Sequence, residues 1–415
     1  MAVSGCLGRV PRAPSIVFAL VDQLRQDAAN RWMPAVSALA ARGTVCEEMR
    51  AVAPWTYPSV VSLMSGLLPQ QHGADGNLHW DVLTTFDERV PLLHRRLRRA
   101  GYRTAAFITN PFLHDWNPFC RGFDHFDAHF VRNVGNTRGF NRATWVPEAM
   151  FGQSVNAAVF AFYRARRVTA PEFTYVHYID VHGPWDGAPF AADYASAVAF
   201  TDARVSELYR FFAERYDEDL LFVVTSDHGV ALDDDEHVGC GLPWRTSKLS
   251  VYDFNLRIPF AVLPGRRVPA GVRISGSCSN IDVLPTLLDW LGMPARHAAP
   301  GVSLLPVARG RAAPDADRAT YARVSAFRSK ADGLVWRGRK YVRHFDIDDG
   351  TVSAHRVFDL AVDPREIAPL EHHEWGDASG LLEVAAGTHG VAYASRYDDM
   401  APDLRQRLHV LGYLQ

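Results

Sequence analysis

The stretch LFVVTSDHG, Leu221–Gly229, sets four consecutive apolar residues against an abrupt polar ending. A near-continuous apolar run of this length reads as a strand buried on both faces, the habit of parallel strands in α/β sheets. Four other runs share its texture: SIVFALVDQ (Ser15–Gln23), RTAAFITN (Arg103–Asn110), FTYVHYIDVH (Phe173–His182) and PFAVLPG (Pro259–Gly265). Helical patterns separate them at Val90–Gly101, Asp193–Tyr216 and Asn280–Met293. Strand–helix alternation predicts an α/β fold, a large and mostly parallel sheet flanked by helices. Such sheets place their chemistry beyond the carboxyl ends of the strands. Asp22, Asn110, Asp180, His182, Asp227 and His228 fall at those ends.

Past a Pro/Ala/Arg-rich segment, Pro306–Asp317, the texture changes to residues alternating by twos around an Asp349-Gly350 turn signal. That reads as an antiparallel meander, followed by a closing helix in DLRQRLHVLGYL. The expectation is a catalytic α/β domain over 13–309 and a smaller C-terminal antiparallel α+β subdomain over 310–415.

The 415 residues are 48% hydrophobic and 22% charged, with a net charge of -2. That is ordinary globular composition, and it points to neither nucleic acid nor a membrane as partner. Five scattered cysteines without a CxxC argue against a disulfide framework or a thiolate zinc site. The first residues lack the apolar core of a signal peptide, and SIVFALV is far too short to span a bilayer. A cytoplasmic protein is expected, and a homo-oligomer is allowed.

Asp227 and His228 are adjacent on a Gly-terminated turn, and a carboxylate with an imidazole suits zinc, manganese or similar ions. Asp22, ending the first run, would be a third ligand; a helix cap is the alternative for each carboxylate. In AVAPWTYPSVVSLMSG (Ala51–Gly66), Thr56 stands just before a helix whose first turn carries Pro58. It reads either as an N-cap hydroxyl or as a nucleophile and fourth ligand, activated by a metal and by the helix N-terminus. In HYIDVHGPW, His182 could donate to a substrate oxygen or protonate a leaving group. Asp180 could support a ligand from outside or serve in a second metal site. Both could also just stabilise their loop. Lys248 could neutralise a transferred anionic group or be a solvated surface lysine. His237 reads as ligand, acid or loop residue.

Taken together, strand-ending Asp22-Gln23, PWTYPSVVSLMSGLLPQQHG, AGYRTAAF, HYIDVHGPW, TSDHG, KLSVYDFNLRIPF, IDVLPTLLDWLGM and VFDLAVDPREIAPL resemble the sulfatase branch of the alkaline phosphatase superfamily. The resemblance implies that Asp22, Asp227, His228 and Thr56 hold one divalent metal ion (Zn, Mn, Ca or Mg), a second ion being conceivable at Asp180, His182 and His237. It implies Thr56 as nucleophile, His182 and Lys248 as catalytic anion contacts, Asn77 as a substrate-binding residue, and Gln23 in place of the second aspartate of many sulfatases; Asn110 and His237 are expected to join Asn77 in binding the substrate. The chain departs from the family at three points. Thr56 replaces the Cys or Ser that becomes formylglycine, Val60 replaces the motif arginine, and Thr109-Asn110 stand where a lysine-x-histidine pair is usual. Threonine carries a methyl on Cβ and cannot yield the aldehyde. The expectation is therefore a metal-dependent hydrolase of small anionic phosphate or phosphonate esters. Phosphoryl transfer, sulfate-ester hydrolysis without formylglycine, and a noncatalytic binding protein are the alternatives.

Overall fold

In a computed structural model, β1 (Ser15–Val21) is buried at every residue and sits in the middle of an eight-stranded sheet. The structure describes residues 13–75, 82–113, 117–128, 150–183, 185, 188–232, 249–294, 300–326, 329–346, 348–371, 375–387 and 392–396. The strands that follow are β2 (Thr44–Cys46), β3 (Met49–Arg50), β4 (Val82–Phe86), β5 (Arg103–Phe107), β6 (His125–Asp127), β7 (Glu172–Tyr178), β8 (Leu220–Thr225), β9 (Phe260–Leu263), β10 (Val272–Ile274), β11 (Cys278–Ser279), β12 (Thr320–Ala326), β13 (Ser329–Trp336), β14 (Arg339–Phe345), β15 (Val352–Asp359) and β16 (Ala392–Arg396). The helices are α1 (Gln26–Trp32), α2 (Pro34–Ala40), α3 (Thr56–Ser65), α4 (Pro69–His72), α5 (Leu93–Arg99), α6 (Gly152–Arg164), α7 (Tyr194–Arg215), α8 (Asp253–Leu256), α9 (Val283–Trp290), α10 (Leu305–Ala308) and α11 (Gly376–Gly387).

The large sheet runs β10-β2-β9-β8-β1-β7-β5-β6. All five apolar runs of the sequence are strands in it. Four are parallel, but β9 lies antiparallel to both β8 and β2, so the sheet is mixed. An apolar run says that a strand is buried on both faces and nothing about its direction. Direction follows from the connection, and the last described element before β9 is the short α8. The helix α7 packs on β1 and β8 and against α1, α2 and α6. Its Asp193 caps it, accepting the amide of Ser196 at 2.7 Å.

The register sets the site. Leu20 of β1 lies opposite His177 on β7 and Thr225 on β8, and Phe107 of β5 lies opposite Val176. The carboxyl ends of these four neighbouring strands therefore open at one level, and β1 is the switch point between β8 on one side and β7 and β5 on the other.

The meander is an antiparallel sheet, β12-β13-β14-β15, with Gly350 in the left-handed region (φ 74°) in the turn before β15. Tyr321, Leu334, Tyr341 and Val357 pack with Ala378 and Leu382 of α11, and also with Val52 and Leu68 from the segments flanking α3. β16 returns to pair with β4. A buried charged seam ties the two parts together. Arg50 on β3 and Lys340 on β14 both reach Asp253 on α8, at 2.7 and 2.9 Å, and Lys340 lies 3.4 Å from Glu366. The expected closing helix falls outside the described residues.

Candidate active site

Asp22, Asn110, Thr56, Asp227 and His228 converge at the carboxyl edge of the sheet, all buried. The Thr56 hydroxyl lies 3.4 Å from Asp22 Oδ2 and 3.5 Å from His228 Nε2, and it accepts from Asn110 Nδ2 at 3.2 Å. His228 Nε2 is 3.7 Å from Asp22 Oδ1 and 3.6 Å from Asp227 Oδ2. One ligand atom from each of Asp22, Asp227 and His228 lies within 4.8 Å of the others.

Thr56 is the first residue of α3, and the cap position falls on Trp55, whose side chain makes no capping bond. The hydroxyl is thus free of the capping role and faces the carboxylates. Burial of every residue of α3 explains its serines, since a buried hydroxyl needs a partner. Ser59 donates to the Asp227 carbonyl at 2.5 Å, Ser62 pairs with His72 Nε2 at 2.8 Å, and Ser65 accepts from the Leu67 amide at 3.2 Å. The helix is thereby locked to the turn that carries Asp227.

That turn is held equally firmly from below. Ser226 Oγ accepts the Leu24 amide at 3.0 Å and donates to the His228 carbonyl at 2.7 Å. Asp227 Oδ1 accepts the amides of His228 and Gln23, at 2.9 and 3.2 Å. Gln23 turns the chain after β1 with φ 60°, a left-handed conformation that non-glycine residues adopt only when their surroundings enforce it. Its contribution here is its backbone: the amide reaches Asp227, and the carbonyl accepts the Tyr194 hydroxyl at 2.8 Å. His228 Nδ1 bonds the Gly229 carbonyl at 2.7 Å, which places a proton on Nδ1 and leaves Nε2 as a lone pair facing the site.

The donor set fits a divalent cation. Asp22 Oδ1 and Asp227 Oδ2 are buried and have no hydrogen-bond partner among the described residues, beside the bare Nε2 of His228. Two orphaned carboxylate oxygens with an imidazole lone pair cost several kcal/mol to bury without a cation. Burial pushes Asp22 up, but the hydrogen bond from His177 and the neighbouring histidines outweigh it and hold this carboxyl well below the usual range. Burial and the neighbouring charge of Asp22 push Asp227 up. A cation between them removes that repulsion.

His177, inside β7, was not singled out from the sequence as a site residue, yet its Nε2 lies 3.1 Å from Asp22 Oδ2. The available signal was a histidine inside a strand pattern, and that strand is buried at every residue, where water cannot satisfy it. His182 is nearly buried beside the group, with Nδ1 bonded to the Gly183 carbonyl at 2.8 Å. Asp180 is placed elsewhere. Its Oδ1 accepts the amide of Gly152 at 2.8 Å, so it serves the start of α6 rather than the metal-ligand group. Burial pushes its carboxyl up to about 7. Asn77, His237 and Lys248 lie outside the described residues.

Residues 14–293 match the sulfatase family model. The chain belongs to the sulfatase family. Sulfatase-family relatives include a choline-sulfatase of Rhizobium meliloti, 24% identical over 88% of this chain and 83% of that one. A low-salt glycan biosynthesis sulfotransferase of Haloferax volcanii is 27% identical over 60% of this chain and 55% of its own length. The fold matches the phosphonate monoester hydrolase of Agrobacterium radiobacter with a TM-score of 0.69 at 18% identity, covering 91% of this chain and 96% of that one. The chain spans between 21% and 55% of the length of the first curated relatives it matches. Among the described residues no helix is long and apolar enough to cross a membrane.

Proposed function

We propose that this chain hydrolyses small phosphate or phosphonate esters through a covalent intermediate on Thr56. The observation that carries the reading is the Thr56 hydroxyl itself, buried at a helix start within 3.5 Å of Asp22, His228 and Asn110 and spent on no cap. Asp22, Asp227, His228 and Thr56 would hold one divalent cation of the zinc, manganese, calcium or magnesium kind. Such an ion lowers the pKa of the hydroxyl and neutralises charge on the ester.

The residues supply the rest. Thr56 Oγ1 forms the bond to phosphorus as the alcohol oxygen departs. Asn110 Nδ2, whose two hydrogens go to Asp22 Oδ2 and the Thr56 hydroxyl, steers Thr56, and Asn77, Lys248 and His237 are assigned to the anion. His182 protonates the departing oxygen. A water then breaks the oxygen–phosphorus bond to Thr56 and restores the hydroxyl. Thr56 also argues against sulfate esters, because the gem-diol that expels sulfate from formylglycine requires an aldehyde that threonine cannot form. Transfer to an acceptor hydroxyl is the second reading, favoured by the sulfotransferase among the relatives.

The test is a panel of aryl phosphate mono- and diesters, phosphonate monoesters and sulfate esters, run on metal-loaded protein beside Thr56→Ala and Thr56→Ser. Turnover of a phosphorus ester, lost by about 10³-fold or more in Thr56→Ala, supports it. Full activity in Thr56→Ala, or sulfate release matching phosphate release, overturns it. Product analysis with added alcohols separates hydrolysis from transfer.

A further inference from the structure

We propose that His177 is a positioning residue that sets which oxygen of Asp22 faces the metal; this rests on the metal-site reading above. Asp22 Oδ2 takes three donors: Asn110 Nδ2 at 2.7 Å, His177 Nε2 at 3.1 Å and the Thr56 hydroxyl at 3.4 Å. Oδ1 takes none among the described residues. A carboxylate oxygen offers about two good lone-pair sites, so Oδ2 is saturated and Oδ1 alone is left for a cation. The carboxylate is thereby committed to one-oxygen coordination before any ion arrives.

The histidine can play this part because its own ring is fixed. Nδ1 lies 3.2 Å from the Tyr175 hydroxyl. Tyr175 stacks on Phe18 and meets Phe119 edge-on, with centroids 5.9 Å away in both cases. Facing an ionised carboxylate, Nε2 carries the proton, so Nδ1 accepts from Tyr175 and the tautomer is set. The His177 ring is fully buried. Its carbonyl accepts the Thr109 hydroxyl at 2.8 Å, which braces the residue next to Asn110 against the same strand. Adjacent strands thus present two donors to one oxygen. Partners outside the ligand shell typically contribute 10–100-fold to metal affinity.

The experiment titrates the metal-free full chain with zinc chloride and manganese chloride by calorimetry, for wild type, His177→Phe, His177→Gln and Tyr175→Phe. His177→Phe keeps a ring but loses the donor, and affinity should fall about 10–100-fold. His177→Gln returns an amide donor near the Nε2 position and should recover most of the loss. A merely space-filling histidine would be replaced better by Phe than by Gln, so the rescue separates the two roles. Should His177→Phe fail to fold, Tyr175→Phe decides, with a several-fold loss expected because the tautomer is no longer set. Wild-type affinity in His177→Phe, or in Tyr175→Phe where that variant decides, overturns the proposal alone. A wild type that binds neither ion overturns the metal-site reading and this proposal with it.

Discussion

Replacing Gly229 with alanine tests how the turn carrying Asp227 and His228 is held in place. A β-carbon at 229 would stand 2.2 Å from the Phe254 carbonyl oxygen, where real contacts essentially never fall below 3.0 Å. The backbone must part by about 1 Å, and neither side yields freely. On one side, Phe254 sits in α8, whose first residue offers its amide to Glu366 at 2.6 Å and its carboxylate to Arg50 and Lys340. On the other, the Gly229 amide donates to the Asn255 carbonyl at 2.7 Å, and its carbonyl accepts from His228 Nδ1 at 2.7 Å. Losing the amide bond costs about 1 kcal/mol, and the steric displacement about 1–3 kcal/mol more. The expected destabilisation is therefore about 2–4 kcal/mol. The second effect is the more specific one. When the Gly229 carbonyl moves, His228 loses the bond that orients Nε2, and metal affinity should fall about 10–100-fold. Urea denaturation of the metal-free protein reads the first effect, and calorimetric titration with zinc or manganese reads the second. A Gly229→Ala protein with wild-type midpoint and wild-type affinity would show that α8 does not brace His228.

Asp180→Asn should flatten part of the pH dependence of stability. The native carboxyl titrates at about 7 against an ordinary 3.8, so between those values the native state keeps a proton that the unfolded chain has released. Wild-type stability therefore falls as pH rises through that window, by at most about 1.4 kcal/mol per unit. Asparagine still accepts the Gly152 amide but carries no charge. The variant should gain on wild type at pH 8 and match it near pH 4 in thermal melts, and parallel curves would refute this. Lys340→Met removes the ammonium that lies 2.9 Å from Asp253 and 3.4 Å from Glu366. It should cost about 3–5 kcal/mol in urea denaturation, with part recovered by adding Glu366→Gln; a loss below about 1 kcal/mol would show that the lysine does not compensate the seam.

The legible parts of this molecule are those where burial writes a local pattern. β1, β5, β7 and β8 carry apolar runs because both faces are covered, and the polar residues that end those runs are the ones the sheet gathers at one edge. The direction of β9 carries no such pattern, since it depends on a connection and not on composition. Asp180 shows the same limit among site residues. A carboxylate just past a strand can be drawn either to a cation or to the exposed amides at a helix start, and only the packing of α6 decides between them. His177 was missed for the opposite reason. One polar side chain within a strand is read as a core residue unless its acceptor is known, and Asp22 is 155 positions away in the chain.

On the function proposed above, the arrangement around Thr56 also allows a threonine at this position without dismantling the site. The ligand atoms are held by bonds that do not involve position 56: Asp227 by the amides of Gln23 and His228, His228 by the Gly229 carbonyl, and Asp22 by Asn110 and His177. A change at position 56 therefore leaves the carboxylates held. Asn110 joins the two sets of contacts, bonding both Asp22 Oδ2 and the Thr56 hydroxyl, while the Phe112 amide fixes its own oxygen at 2.8 Å. Asn110 thereby offers the Thr56 hydroxyl a neutral donor whose direction is set.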